Sequence, residues 1–538
     1  MSEDLIGRHV RRVADLRISR RSALAAATIP LALSGSPLAI AQTPESATPA
    51  AQPQPQPDLP QPVVLKSVDG VLTETLISKP SVIEMGAAKP VITYSFNDMV
   101  PGRTWEVNPG DVMKIDFIND LPPIDPMAPV DMVRPHEWTT TNLHTHGMHV
   151  SPEGNGDNVF VAIEPGESFQ YEIAVPDNHP AGLFWYHPHK HGGVCQQVRA
   201  GMAGAIIVRG DIDEVAEVKA AQEQVLVLQA IELGDDFQLL DPIPHPSTQE
   251  AFFPRTQILY TVNGMMNPKI TMYPGEVRRW RILNAAEGKF MSITLADHPM
   301  HVIAWDGLTL AEPEPNTNLV LAAGNRVEVL IKAGAPGSYD LILTPGSSQH
   351  PEIPGIEHGM DMPSEPTTNS ELLTRPILTV EVVGSGPEMA LPATLPAYDP
   401  PILPIAKHRI FRYTVERGDD NEFFHFGIDG MPFDPEREPY QMKLGSAEEW
   451  TLINDLDSKL PQHAHVLHIH VNSFKILEIN GIELEKPKWR DTYVLTGLDG
   501  DSLRLQMNLD DFTGKFVEHC HVLSHEDLGM MESLEVIP

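Results

Sequence analysis

The sequence predicts an all-β protein of three tandem β-sandwich domains, and three observations predict it. The first is an internal repeat. Asn108 to Asn119 (NPGDVMKIDFIN) recurs as Tyr273 to Asn284 (YPGEVRRWRILN) and, more weakly, as Lys443 to Asn454 (KLGSAEEWTLIN). The repeat glycines Gly110, Gly275 and Gly445 are 165 and 170 residues apart, a domain period rather than a solenoid period. The second is alternation: each copy is a glycine turn followed by apolar and polar residues in turn, which is the strand signal. The third is what fills the intervals, short strand-like runs punctuated by Pro and Gly, with long amphipathic helices scarce. The length of 538 residues suits three or four domains at roughly 150 residues each.

Taken in order, residues 1–41 stand outside the fold. Arg8, Arg11, Arg12 and Arg17 precede Ser19-Arg20-Arg21, and an apolar run from Ala23 to Ala41 follows. Pro30, Gly35 and Pro37 interrupt that run, which makes it a poor membrane span, and Ala39-Ile40-Ala41 is a small-x-small cleavage site. These features resemble a twin-arginine signal of a bacterial exported protein, so a periplasmic or otherwise exported location is expected. Residues 42–62 carry seven prolines among Gln, Ala and Ser and read as a linker. The expected domains are 63–212, 213–385 and 408–538, with the Pro-rich run 386–407 linking the last two.

Lys and Arg number 38 against 73 Asp and Glu, a formal charge of −35. That excludes nucleic acid and anionic lipid as natural partners and modestly favours cationic donors or metal ions. No stretch of the expected mature domains is long and apolar enough to insert in a membrane. Only two cysteines occur, Cys195 and Cys520. A thiolate that ligates metal cannot also form a disulfide, so none is expected, and Cys195 reads as a small buried residue.

The chemistry concentrates in Val517–Met531. His519, Cys520 and His521 are consecutive, His525 follows four residues on, and Met530 five beyond that. On a strand, Cys520 faces one way while His519 and His521 face the other. A thiolate with a further His and a distant Met suits a blue-copper electron-transfer site, and two imidazoles on the reverse face suit a second metal site. The rest of the chain supplies matching ligands. His144 and His146, His187 and His189, and His468 and His470 are each i, i+2 pairs, as are His519 and His521. One such pair is weak evidence. Four, one with Cys between its members, point to metal, and neutral imidazole suits copper.

These four motifs, in this order and on this domain repeat, resemble those of the three-domain multicopper oxidases, the laccase and bilirubin-oxidase group, from about Val63 to Pro538. The resemblance implies cupredoxin-like Greek-key sandwiches and four coppers per chain. It implies that His465, Cys520 and His525 hold a type 1 copper with Met530 axial, rather than its neighbour Met531. His144 and His468 would hold a type 2 copper, and His146, His187, His189, His470, His519 and His521 a type 3 pair. Val466 stands where many relatives have Pro. The cluster would lie between the first and third domains. The second has His298 and His301 but no His-x-His and no Cys, and is expected to lack copper. His149, His179 and His191 read as outer-shell or surface residues, and the His358–Met362 segment as a flexible loop.

By the same resemblance the chain would oxidise small phenolic, aromatic-amine or similar donors one electron at a time and reduce O2 to water, as a monomer. Glu526 and Asp157 would supply protons. An axial Met implies a low-to-medium type 1 potential. The alternatives are a cuprous or other metal-ion oxidase and a non-enzymatic envelope scaffold of the same fold. The scaffold would have lost ligands that this chain retains.

Overall fold

The structure, a computed structural model, describes residues 56–124, 131–244, 252–345, 373–417, 424–457, 460 and 463–538. The leader 1–41, residues 42–55 and the His358–Met362 loop lie outside these described residues. Among the described residues, α-helix is confined to three short segments, Val194–Arg199, Ala216–Ala220 and Leu523–Asp527. No helix among them is long and apolar enough to cross a membrane.

Six mixed sheets form three successive pairs. Strands between Val64 and Val208 make sheets of five and four strands; those between Gln222 and Val382 make six and five; those between Ile405 and Ile537 make six and five. The three largest apolar clusters centre one on each pair, and that of the third extends onto Val194, Cys195 and Val198 of the first and Phe290 and Ala322 of the second. The predicted all-β fold of three sandwiches is the one observed.

The sequence repeat is a repeat of sheet position. Strand Val112–Asn119 pairs in parallel with Val71–Ile83, Val277–Asn284 with Gln222–Leu233, and Ser446–Leu456 with Ile405–Arg417. On its other edge each repeat strand is antiparallel to a later strand of the same sandwich. The repeat glycines have φ of +87°, +80° and +72°, a left-handed turn that costs glycine little. The apolar position of the repeat, Ile115, Trp280 and Trp450, is buried in every copy. The terminal asparagine of each copy is fully buried and donates from Nδ2 to two carbonyls. Asn119 serves Thr139 and Ile163, Asn284 serves Lys289 and Leu321, and Asn454 serves His463 and Thr496. An unpaired buried amide is costly, so this asparagine ties each strand end to its neighbouring loops.

Among the described residues, matched sheet positions also show where the second sandwich differs from the third. The five-stranded sheets of sandwiches two and three share one strand order. Where the third has His465–Ile469 and Gly514–Cys520, the second has Met291–Leu295 and Gly337–Pro345, which contain no His or Cys. His298 is satisfied locally, by the Ala296 carbonyl at 2.6 Å and the Gly334 amide at 3.0 Å. The Pro-rich stretch before Ile405 packs along the second sandwich, with Met389, Leu395 and Tyr398 amides bonded to Gly275, Ala311 and Thr309.

Candidate metal centre

Strand Gly514–Cys520 lies inside the five-stranded sheet of the third sandwich, between His465–Ile469 and Met531–Ile537. Its alternation separates the side chains of its last residues as predicted. Cys520 Sγ lies 3.6 Å from His465 Nδ1 and 3.7 Å from His525 Nδ1, all three buried. The short helix Leu523–Asp527 brings His525 back beside Cys520 while aiming Glu526 elsewhere, since neighbours on a helix point about 100° apart. Met530 is fully buried in the same apolar cluster as Cys520. Its amide donates to the His525 carbonyl at 2.9 Å, and its carbonyl accepts from the Cys520 amide at 3.1 Å. Met531 instead packs with Val159, Phe433 and Val517. Burial pushes the Cys520 thiol up to about 12, against the pull of the Val466 and Val522 amides. A bound cation would reverse that and favour the thiolate.

On the other face, His519 joins the second cluster. His144–His146 pairs antiparallel with Gly182–His187, setting His144 opposite His187. His468 pairs with His519 on the adjacent strand of the same sheet. The Nε2 atoms of His189, His470 and His519 lie 3.1, 3.1 and 3.3 Å apart. The centre of such a triangle is about 1.8 Å from each corner, near the ~2.0 Å of an imidazole–metal bond. His144, His468 and His470 form another group able to share an ion, as do His144, His146 and His187. The His521 ring centroid is 4.8 Å from that of His146 and 5.5 Å from that of His187.

The donor set fits a metal on a structural criterion. His144 Nε2, His187 Nε2, His468 Nε2, His146 Nδ1 and both nitrogens of His521 are buried with no hydrogen-bond partner. Each unsatisfied buried group costs about 1–3 kcal/mol, which a cation would remove. Several of the opposite ring nitrogens are tied to protein acceptors: His144 Nδ1 to Asp157 at 2.9 Å, His187 Nδ1 to the Pro188 carbonyl at 2.8 Å, and His468 Nδ1 to the Asp491 carbonyl at 2.8 Å. Such bonds fix the tautomer that leaves Nε2 free for a metal. Burial, with neighbouring imidazoles adding to it, holds His146, His187, His468, His470 and His521 well below the usual histidine range. They are therefore neutral, the form that ligates. Thiolate with imidazole, and imidazole alone, are both donor sets that copper accepts.

Two carboxylates back these imidazoles. Asp157 accepts from His144 Nδ1 and, at 2.8 Å, from the Thr145 amide. Glu526 has one oxygen 3.0 Å from His519 Nδ1 and the other 3.5 Å from His189 Nδ1, without a well-aligned hydrogen bond to either. Burial pushes Glu526 up to about 7, against the pull of His189.

The ten expected histidines and Cys520 thus fall in two buried groups, Met530 is buried and bonded through its backbone to Cys520 and His525, and the two expected carboxylates lie beside the imidazole group. Cys195 is a buried free thiol raised by burial, 3.7 Å from Glu287, and there is no disulfide. His191 joins neither group and bonds to the Met132 carbonyl at 2.9 Å. One residue was missed although its signal was present: His463 makes a further His-x-His with His465, as His191 does with His189. It is buried, neither of its ring nitrogens has a partner, and its ring centroid is 6.0 Å from that of His525. Asp491, Thr492 and Arg326 were also missed, and no spacing announces them.

Profiles described as multicopper oxidase match residues 133–212, 241–356 and 405–538, more than half of the chain. A Staphylococcus aureus protein named multicopper oxidase mco is 23% identical, over 82% of this chain and 84% of its own. A Bacillus subtilis (strain 168) laccase is 22% identical, over 83% and 90%. The cell division protein FtsP of Yersinia pestis is 27% identical, over 82% and 84%. Among solved structures, a Campylobacter jejuni multicopper oxidase described as a metallo-oxidase superposes with a TM-score of 0.70 at 25% identity, over 90% of this chain and 96% of that one.

Proposed function

Because this chain belongs to the multicopper oxidase family, as a copper-dependent oxidoreductase with O2 as acceptor, we propose that it oxidises small phenolic, aromatic-amine or similar donors one electron at a time. His465, Cys520, His525 and Met530 would hold the type 1 copper. His144 and His468 would hold the type 2 copper, and His146, His187, His189, His470, His519 and His521 the type 3 pair. Copper when bound supplies the one-electron redox steps and the site of oxygen reduction. The balance is four donors losing one electron each, with O2 taking four electrons and four protons to give two waters.

The protein's own residues place and feed that chemistry. The observation that carries the reading is that His519, Cys520 and His521 are consecutive, so one strand end touches both ligand groups. Cys520 thereby offers a covalent path of one residue in each direction. Burial of every ligand excludes bulk water. Glu526, between His519 and His189, and Asp157, on His144, are the groups positioned to hold and pass protons. The test is copper content and the absorption spectrum of the purified protein. An intense blue band, a near-ultraviolet shoulder and four coppers per chain are expected; a colourless protein with full copper content would overturn the type 1 assignment.

A second reading, oxidation of cuprous or other metal ions, is favoured by the charge of −35 and by likeness to a structure described as a metallo-oxidase. Rates on Cu(I) and on phenols, compared side by side, separate the two. The intact ligand set opposes a non-enzymatic scaffold. Export through the twin-arginine-like leader completes the proposal, and a mature N-terminus at Gln42 in secreted or periplasmic material would support it.

A further inference from the structure

Among the described residues the second sandwich places no histidine or cysteine in either ligand group, yet one of its turns touches the imidazole cluster. Gly324 has φ +84°, and a Cβ there would lie 3.1 Å from both the His146 and the His521 rings, so glycine lets the turn come this close. Asn325 Nδ2 donates to the Thr492 carbonyl at 3.0 Å. Arg326 is fully buried. Its Nη1 donates to Asp491 Oδ1 at 2.8 Å, and its Nη2 makes a short bond to the other Asp491 oxygen. Its Nη2 also reaches the Asp306 carbonyl at 3.1 Å, and its Nε the Leu183 carbonyl at 3.2 Å, on the strand that ends in His187. One guanidinium therefore binds all three sandwiches. Room for it exists because residue 147 is glycine: a Cβ there would collide with both Arg326 and Asp491.

What Arg326 holds, in turn, holds two imidazoles. The Thr492 hydroxyl lies 2.8 Å from Asp491 Oδ1, 3.0 Å from His146 Nε2 and 3.2 Å from His468 Nδ1. A hydroxyl has one proton, and the carboxylate takes it. Thr492 is then an acceptor toward His146 Nε2–H, which leaves His146 Nδ1 as the free, buried nitrogen. The Asp491 carbonyl accepts from His468 Nδ1 at 2.8 Å and leaves His468 Nε2 free.

We propose that Arg326 and Asn325 are positioning residues through which the second sandwich fixes the orientation and tautomer of His146 and His468, and so the copper affinity of the cluster. This rests on reading those two histidines as copper ligands. The guanidinium satisfies the buried Asp491 carboxylate in bidentate fashion, a geometry that lysine cannot copy. The second sandwich is then a working wall of the cluster as well as a spacer.

The test uses Thr492→Val, which is nearly isosteric and leaves the Arg326–Asp491 pair intact, with Arg326→Gln and Arg326→Lys. Copper per chain is measured after dialysis against a chelator. The blue band and the type 2 paramagnetic resonance signal are recorded separately, and melting is compared for copper-free and copper-loaded protein. Loss of an outer-shell partner typically weakens metal binding about 10–100-fold. Thr492→Val and Arg326→Gln should lose cluster copper on that scale and alter the type 2 signal while keeping the blue band, and Arg326→Lys should recover part of the loss. The gap in melting temperature between loaded and copper-free protein should shrink, whereas a merely structural role would lower both forms alike. Wild-type copper retention and resonance in Thr492→Val and Arg326→Gln would overturn the proposal. If Arg326→Gln does not fold, Arg326→Lys takes its place, and wild-type copper retention and resonance in Arg326→Lys and Thr492→Val would overturn the proposal. Failure of the wild-type protein to load the cluster would sink the ligand reading and this inference together; failure confined to the variants sinks only this one.

Discussion

His149 Nδ1 lies 2.8 Å from the carbonyl oxygen of Val471, joining the first sandwich to the third at the rim of the imidazole cluster. A carbonyl only accepts, so His149 is the donor. Each partner sits just after a His-x-His pair, His149 three residues past His146 and Val471 directly after His470. Its other nitrogen, Nε2, is 2.7 Å from Asp511. Burial pulls the pKa of His149 down, but the Asp511 carboxylate, the Val471 carbonyl and nearby Asp510 outweigh it, and the net shift is upward. His179 also lies against it and accepts from the His149 amide at 3.0 Å.

A pKa raised in the folded state means that the contact stabilises most when His149 is protonated. That contribution is full below the unfolded value of about 6.5 and is lost as pH rises through the raised folded value. His149→Gln should therefore destabilise by about 1 kcal/mol at mildly acidic pH, the scale of a partly exposed charged hydrogen bond, and by less in alkali. Thermal melts of the two proteins at several pH values check this; a difference independent of pH would refute it.

Val471 has φ +66°, a left-handed conformation that is a true outlier for a β-branched residue and costs about 1–3 kcal/mol. Replacing a buried valine by glycine ordinarily costs about 2–4 kcal/mol in lost burial and added unfolded-state entropy. At Val471 the relief of strain offsets about half of that. Val471→Gly should thus cost about 1–2 kcal/mol less than Val329→Gly, in an ordinary buried strand of the second sandwich. Denaturant melts of the pair provide the comparison.

Glu526→Gln and Asp157→Asn should slow oxygen-reducing turnover by about 10²–10⁴-fold, the usual scale of a lost proton donor, while leaving the blue band intact. The band reports on Cys520, whose sulfur lies against Val466, His465 and His525. Steady-state kcat with the visible spectrum checks both halves, and unchanged kcat across pH 5 to 8 would remove the role.

The type 1 potential should respond in opposite directions to two changes. Val466 donates its amide to Cys520 Sγ at 3.4 Å, a bond that stabilises electron density on sulfur less once copper is oxidised. Val466→Pro removes the donor and should lower the potential; about tenfold in the reduction equilibrium corresponds to 59 mV. Met530→Leu removes the sulfur proposed as a ligand of that copper and should raise it. Redox titration of the blue band measures both.

Removing copper should destabilise the protein, because it returns the cluster imidazoles to an unsatisfied, buried state. At a free copper concentration 100 times the dissociation constant, loading adds about 2.7 kcal/mol. Calorimetry with and without copper tests it, and equal melting temperatures would argue against a preformed site.

The fold and the clustering of the proposed ligands were legible in the sequence because both are written in short-range periods. The domain repeat carries its own glycine turn, alternating strand and terminal asparagine, and each of those local features has the same place in all three sandwiches. The His-x-His pairs are legible for the same reason: a strand puts i and i+2 on one face, whatever else the chain does. His463-Ala464-His465 shows that even a readable spacing is passed over when His465 has already been assigned a partner elsewhere.

By itself, then, the sequence determined which residues point together: Cys520 against His519 and His521, and the members of each histidine pair with one another, at a strand or its end. Only the tertiary structure decided what those faces meet. Arg326 reaches Asp491 across 165 residues, His149 reaches Val471 across 322, and Glu526 settles between His519 and His189, which are 330 apart. Alternation is a property of bonded neighbours and survives in any strand. These contacts exist only where separate sandwiches are packed together, and no local period encodes that packing.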